Sequence, residues 1–197
     1  MSEGAKSLKW DRRYTDPEKQ PKAAEVLSQN LHLLPVAGQA LDLACGLGGN
    51  ALLLAQHGLA VTAWDLSPVA VNRLRQSAEG LGLQGLTAEV RDLERRPPPP
   101  DCFDLIIVSY FLERSLAPYL VASLKPGGLL FYQTFTRFEV SKRGPENPLY
   151  RLDENELLVL FRPLSVRYYR EEQRLGDTTK GARAVAMLIA EKVRVRS

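Results

Sequence analysis

Short apolar runs alternate with helically spaced stretches along most of this chain. Leu41–Cys45, Ala60–Trp64, Leu86–Val90, Phe103–Ser109 and Leu129–Phe135 are nearly continuous apolar segments of strand length. Between the first two, a helix is expected from about Asn50 to His57-Gly58. After the second, Ser67 reads as an N-cap with Pro68 in the first helical position, and Val71, Leu74, Ala78 and Leu81 fall on one face. A shorter helix is expected from Ser115 to the Lys125-Pro126-Gly127-Gly128 stop. Strands without strict polar alternation, separated by helices, predict a parallel sheet covered on both faces.

The two ends of the chain differ from this rhythm. Ahead of the first strand, Ala23, Leu27, Leu31 and Leu34 predict one helix over Lys22–Leu34, stopped by Pro35. Behind the fifth strand, Thr136–Arg151 is longer than an ordinary connection, and such segments often act as lids. Asp153 and Glu156 have the spacing of a capping box for a helix through Phe161. The alternation in "LSVRYYREEQ", a Gly-Asp turn and the run "ARAVAMLIAEKV" then predict an antiparallel hairpin. The expected architecture is α/β: a doubly wound, mostly parallel seven-stranded sheet of the Rossmann-like kind, ending in an antiparallel C-terminal hairpin. One domain is expected over 1–197, with 1–36 as helical cover, 37–135 as core, and 136–197 as lid segment, helix and hairpin.

Composition narrows the partners. The 197 residues carry 26 basic and 23 acidic side chains, a net +3 too weak to argue for nucleic acid or an anionic membrane. Lys192, Arg194 and Arg196 make the one local excess, which a solvated end explains equally well. Cys45 and Cys102 have neither metal-ligand nor disulfide-framework spacing, and no run reaches the roughly 18 apolar residues of a membrane span. No leader of signal-peptide type opens the chain, so a cytoplasmic protein without membrane or nucleic-acid partners is expected.

The chemistry concentrates in "LDLACGLGGNALLLA", Leu41–Ala55, where an apolar strand runs into three glycines within four positions and then a helix. Such a turn offers backbone N–H groups and a positive helix end to a ligand. Gly46 and Gly48 would let the backbone turn and approach without an intervening side chain. With Ala51 they also satisfy the dinucleotide fingerprint, and a tight turn with nothing bound is the lesser alternative reading of these residues alone. Asp65 closes the second strand 19 residues after Gly46, where a carboxylate accepts ribose hydroxyls; Asp92 ends the third, where one takes an adenine amine. Polar sites at the carboxyl ends of successive strands are the layout of a nucleotide-like ligand in a doubly wound sheet.

The stretches "LDLACGLGGNALLLAQHGLAVTAWDLSPVAVNRLR", "VRDLE", "FDLIIVSYFLERSL" and "LKPGGLLFYQTF" resemble the successive motifs of class I S-adenosylmethionine-dependent methyltransferases. "WDRRY" at Trp10–Tyr14 is similar to an N-terminal signature of the tellurite-resistance branch. The resemblance implies that Asp42 and the loop Ala44, Cys45, Gly46, Gly48, with Asn50 behind it, hold the methionine part of S-adenosylmethionine. It implies that Asp65 and Leu66 take the ribose and one side of the adenine, and that Asp92 and Leu93 take the adenine edge. Ser109 and Tyr110 would floor the methyl site and Tyr14 would close it. Thiol, selenium or tellurium compounds are the first acceptors it suggests. "SYFL" replaces the Asn-Pro-Pro-aromatic motif of enzymes that methylate base amines.

Methyl transfer from a sulfonium is an in-line displacement in which alignment matters most, and a soft nucleophile needs little help from a base. His32 and His57 read as structural and Cys45 as a packing residue; Glu113 and Arg114, just after the fourth strand, face the ligand end of the sheet, with a surface pair opening a helix as the alternative. The cations of the long segment, Arg137, Lys142 and Arg143, would favour a small anionic substrate, with Glu139 among them. Two other functions share the glycine turn: a nicotinamide-dependent reductase, and a protein that binds S-adenosylmethionine without catalysis. The reductase gives no reason for Asp92 or for the terminal hairpin.

Overall fold

A seven-stranded sheet in the order β3-β2-β1-β4-β5-β7-β6 organises the computed structural model, which describes residues 3–138 and 144–194, without the side chains of residues 3–7 and 9. The strands are β1 (Gln39–Leu43), β2 (Ala60–Asp65), β3 (Leu86–Val90), β4 (Phe103–Ser109), β5 (Leu124–Phe135), β6 (Ser165–Arg170) and β7 (Val185–Glu191). β1 to β5 pair in parallel, and β7 runs antiparallel between β5 and β6. The order reverses at β1/β4, so the carboxyl ends of β1, β2 and β4 meet at a switch point where such sheets bind ligands.

The helices are α1 (Glu3–Tyr14), α2 (Glu25–Ser28), α3 (Gly49–Gln56), α4 (Pro68–Gly80), α5 (Ala117–Ser123) and α6 (Glu156–Leu160). Ala40, Val61, Leu105, Ile107 and Phe131 pack on one sheet face with Leu27, Leu54, Val71 and Leu74. Leu41, Leu43, Ile106, Val108 and Leu130 pack on the other with Leu120, Leu157 and Phe161. Successive residues of each strand thus serve opposite cores, which is why the runs carry no polar alternation. Among the described residues no helix is long and apolar enough to cross a membrane.

Four expectations change. The single helix over Lys22–Leu34 is instead the short α2 and a 3-10 turn at Leu31–Leu33: the extended Ala24, its N–H taken by the Asn50 side chain, delays the start, and Asn30, at φ -129° with its side chain on the Val26 carbonyl, breaks the helix. β5 begins at Leu124, so Lys125–Gly128 forms an irregular strand start rather than a helix stop. Only half of the capping box forms: Glu156 Oε2 accepts the Asp153 N–H at 2.8 Å, but Asn155, in a left-handed conformation, precedes the helix. Lys192 is no loose tail cation, since it donates to Asp101 Oδ1 and to the carbonyls of Ala122 and Leu124. Arg196 lies outside the described residues.

Candidate functional site

β1 ends at Leu43, and Ala44 and Gly46 both take positive φ, 56° and 53°, to turn the chain toward α3. The three glycines that follow do different work. A Cβ on Gly46 would stand 2.8 Å from the Tyr14 hydroxyl, so its missing side chain clears the space under Tyr14. Gly48, at φ 77°, is filled from behind by Leu74 of α4, and Gly49 by the backbone of Lys22. Gly48 lacks a side chain because Leu74 packs where a Cβ would stand, and Gly46 because Tyr14 does.

Asp65 locks this loop. Its Oδ2 accepts the Gly46 N–H at 2.8 Å and its Oδ1 the Ser67 N–H at 2.9 Å. The Leu66 N–H bonds the same carboxylate, which leaves part of its acceptor capacity unused. Burial raises the Asp65 carboxyl above the ordinary range, against the lowering by these N–H groups. Asp42, wholly buried, accepts the Ala51 N–H through Oδ2 at 3.0 Å; its Oδ1 has no hydrogen-bond partner among the described residues, while the Asn50 side chain lies near enough to favour the ionised carboxyl. Burial, with the nearby Asp65 charge adding, pushes Asp42 up to about 7. Burial likewise raises the Cys45 thiol, whose Sγ contacts the Gly46 carbonyl at 3.7 Å; this matches a packing residue.

The N-terminal segment lies across these groups. α1 ends at Tyr14, and Arg73 of α4 donates to the carbonyls of Tyr14, Asp16 and Lys19 at 2.7–2.8 Å. Asp11 accepts the Ser67 hydroxyl at 2.5 Å. Burial, then the Asp65 charge, raises the Tyr14 phenol. Nothing in "WDRRY" announces Arg73, 59 residues away in sequence, as the residue that fixes its end.

Asp92 and Leu93 follow β3 as expected. Asp92 caps the turn through the Glu94 N–H and lies 3.6 Å from Arg95, while Leu93 is buried and Leu66 half-buried. Ser109 accepts from the Asn50 side chain at 2.9 Å, and Asn50 Oδ1 accepts the Ala24 N–H at 2.8 Å. Gln133, missed in the sequence reading although it is the lone amide in an apolar strand, does the parallel job: it accepts the Val26 N–H and donates to the Tyr110 hydroxyl, both at 2.8 Å. Two buried amides therefore tie α2 to the two polar residues after β4. Glu113 and Arg114 do not pair: Glu113 caps Ser115, and Arg114 reaches Glu156 at 2.5 Å and the carbonyls of Leu149 and Arg151.

The long segment is anchored at its base. The buried Arg151 donates to the carbonyls of Thr136 and Pro145, and Arg137 pairs with Asp153 at 2.6 Å. Glu139, Lys142 and Arg143 lie outside the described residues. Among the described residues no group of three or more His, Cys, Asp or Glu side chains could hold a metal.

Known proteins share this fold. Residues 40–128 match the family model described as a methyltransferase domain. The ubiquinone biosynthesis O-methyltransferase of Xylella fastidiosa is 35% identical over 112 residues, covering 53% of this chain, which spans only 45% of that relative's length. An Aquifex aeolicus structure described as a SAM-dependent methyltransferase superposes with TM-score 0.67 at 18% identity, covering 98% of this chain and all of the other. TehB from Haemophilus influenzae superposes with the same score at 20% identity, covering 95% of this chain and 67% of TehB. At that identity the likeness is one of fold and does not single out the tellurite branch. Residues 40–128 thus resemble a methyltransferase domain, and the chain has the fold of solved proteins described as SAM-dependent methyltransferases.

Proposed function

We propose that this chain transfers the methyl group of S-adenosylmethionine to a small-molecule acceptor. The observation that carries this reading is the buried Oδ1 of Asp42, unpartnered among the described residues, on the strand that runs into the Gly46 turn. An orphaned carboxylate oxygen at full burial is costly, and an ammonium group relieves it. The methionine end of the cofactor brings such a group. Asp65, already taking three backbone N–H groups, keeps acceptor capacity for a ribose hydroxyl, and Leu66, Asp92 and Leu93 stand at the strand ends where the adenine would lie.

When bound, the cofactor supplies a methyl group already activated on a sulfonium. The chain's own part is to bind, orient and exclude water. Tyr14 covers the Gly46 loop, and Asn50 holds Ser109 at the end of β4. The family resemblance puts thiol, selenium and tellurium compounds first among acceptors, and the oxygen nucleophiles named for the ubiquinone-pathway relative are the second class to try. Assaying transfer of labelled methyl to a thiol, selenite, tellurite and phenol panel tests the proposal. Label in any product supports it. Intact cofactor binding without transfer to any acceptor would favour a protein that binds the cofactor without catalysis.

A further inference from the structure

We propose that the acceptor cleft takes a flat or aromatic small molecule carrying a protonated amine, held by the Glu25 carboxylate; this rests on the methyl-transfer reading above. The cleft opens beside the end of β4 and is lined by Glu25, Tyr110, Gln133, Phe135, Arg183 and Val185. Its wall is aromatic: the Tyr110 and Phe135 rings lie 5.0 Å apart and tilted by 36°, and Tyr110 is 44% exposed. Tyr110 holds a positive φ of 56°, an uncommon conformation for a bulky residue and one that sets its ring at the strand end.

Gln133 fixes the geometry. The Val26 N–H can only donate, so the amide oxygen must face it and the amide nitrogen must face the Tyr110 hydroxyl. One fully buried side chain therefore sets both the Tyr110 ring and the turn of α2 that carries Glu25.

Charge then selects the guest. Arg183, the cation on the cleft, uses its donors elsewhere: on the carbonyls of Lys180, Gln173, Leu175 and Asp177, with Glu172 at 3.5 Å to offset its charge. Glu25 makes no side-chain hydrogen bond or ion pair with any described residue, and it faces the same space. A protonated amine gains a charge-assisted bond there and a favourable aromatic face, whereas a carboxylate meets repulsion. Arg137, one of the cations that suggested an anionic substrate, is committed to Asp153.

Tyramine, tyrosol and 4-hydroxyphenylacetate share one ring and differ in charge, and their binding to the full chain is measured by calorimetry with and without S-adenosylhomocysteine. Tyramine should bind at least about tenfold tighter than 4-hydroxyphenylacetate, with tyrosol between them. Glu25→Gln should erase that order and leave S-adenosylhomocysteine affinity within about twofold. Phe135→Leu should weaken all three compounds alike. Equal or tighter binding of 4-hydroxyphenylacetate, the same order in Glu25→Gln, or no saturable binding of any of the three overturns the proposal. A tyramine preference in a protein that does not bind S-adenosylhomocysteine would instead sink the methyl-transfer reading and leave an amine site.

Discussion

Asp42 makes cofactor affinity rise with pH in a window well above that of an ordinary surface carboxylate. Its carboxyl, pushed up to about 7 from 3.8 by burial, is mostly protonated in the free protein at mildly acidic pH. The folded chain then holds a proton that the unfolded chain releases, so this group's contribution to stability is fully present below 3.8 and is lost as pH rises through 7. Binding an ammonium beside Oδ1 requires the ionised form. The ionised fraction climbs from about 3% at pH 5.5 to about 75% at pH 7.5, so affinity for S-adenosylhomocysteine should rise about 25-fold, close to 2 kcal/mol. Asp65, also raised, acts in the same direction. Titrating over this range in buffers of different ionisation enthalpy reads both the affinity and the protons released, and release should approach one per site at the acidic end. Asp42→Asn should remove most of the slope. Affinity constant within twofold across the range, with no proton release, would show that Asp42 does not meet the ligand's cation.

Other consequences can be checked one variant at a time. Asp65→Ala should weaken S-adenosylhomocysteine binding by about 1–3 kcal/mol, since it removes both the anchor of the Gly46 N–H and the ribose acceptor; unchanged affinity would take Asp65 out of the site. Gly46→Val introduces a β-branched side chain at φ 53° and under Tyr14, so binding should vanish while circular dichroism still reports the folded sheet. Arg73→Ala deletes the donors that fix residues 14–19; trypsin should cut sooner at Arg13 and Lys19, and affinity should fall roughly tenfold. A wild-type cleavage rate in that variant would mean that the segment is held by other contacts. Arg114→Ala should cost about 1 kcal/mol in urea denaturation, a figure discounted because the Arg114 side chain is a third exposed.

The strands were readable because each must be apolar on both faces, a demand that leaves uninterrupted runs such as Leu105–Val108 whatever the neighbours are. α4 was readable from its own cap: Ser67 accepts the Ala70 N–H and Pro68 begins the helix. What stayed hidden depends on distant residues. The late start of the expected Lys22–Leu34 helix is set by Asn50 and Gln133, 26 and 107 positions from the N–H groups they take. The division of labour among Gly46, Gly48 and Gly49 follows from Tyr14, Leu74 and Lys22, none of them implied by the glycine spacing. Asp65, Asp92 and Ser109 were legible as site candidates because strand ends can be counted along a chain. Glu25 was not, since a carboxylate opening a four-residue helix carries no signal until β5 and β7 bring Phe135 and Arg183 beside it.

The most direct test of the central claim is calorimetric titration of the whole chain with S-adenosylhomocysteine and, separately, with NADH. Micromolar, saturable binding of S-adenosylhomocysteine at pH 7.5 and none of NADH is the result expected from the Asp42–Gly46–Asp65 arrangement. Binding of NADH alone would contradict it and return the glycine turn to a dinucleotide site.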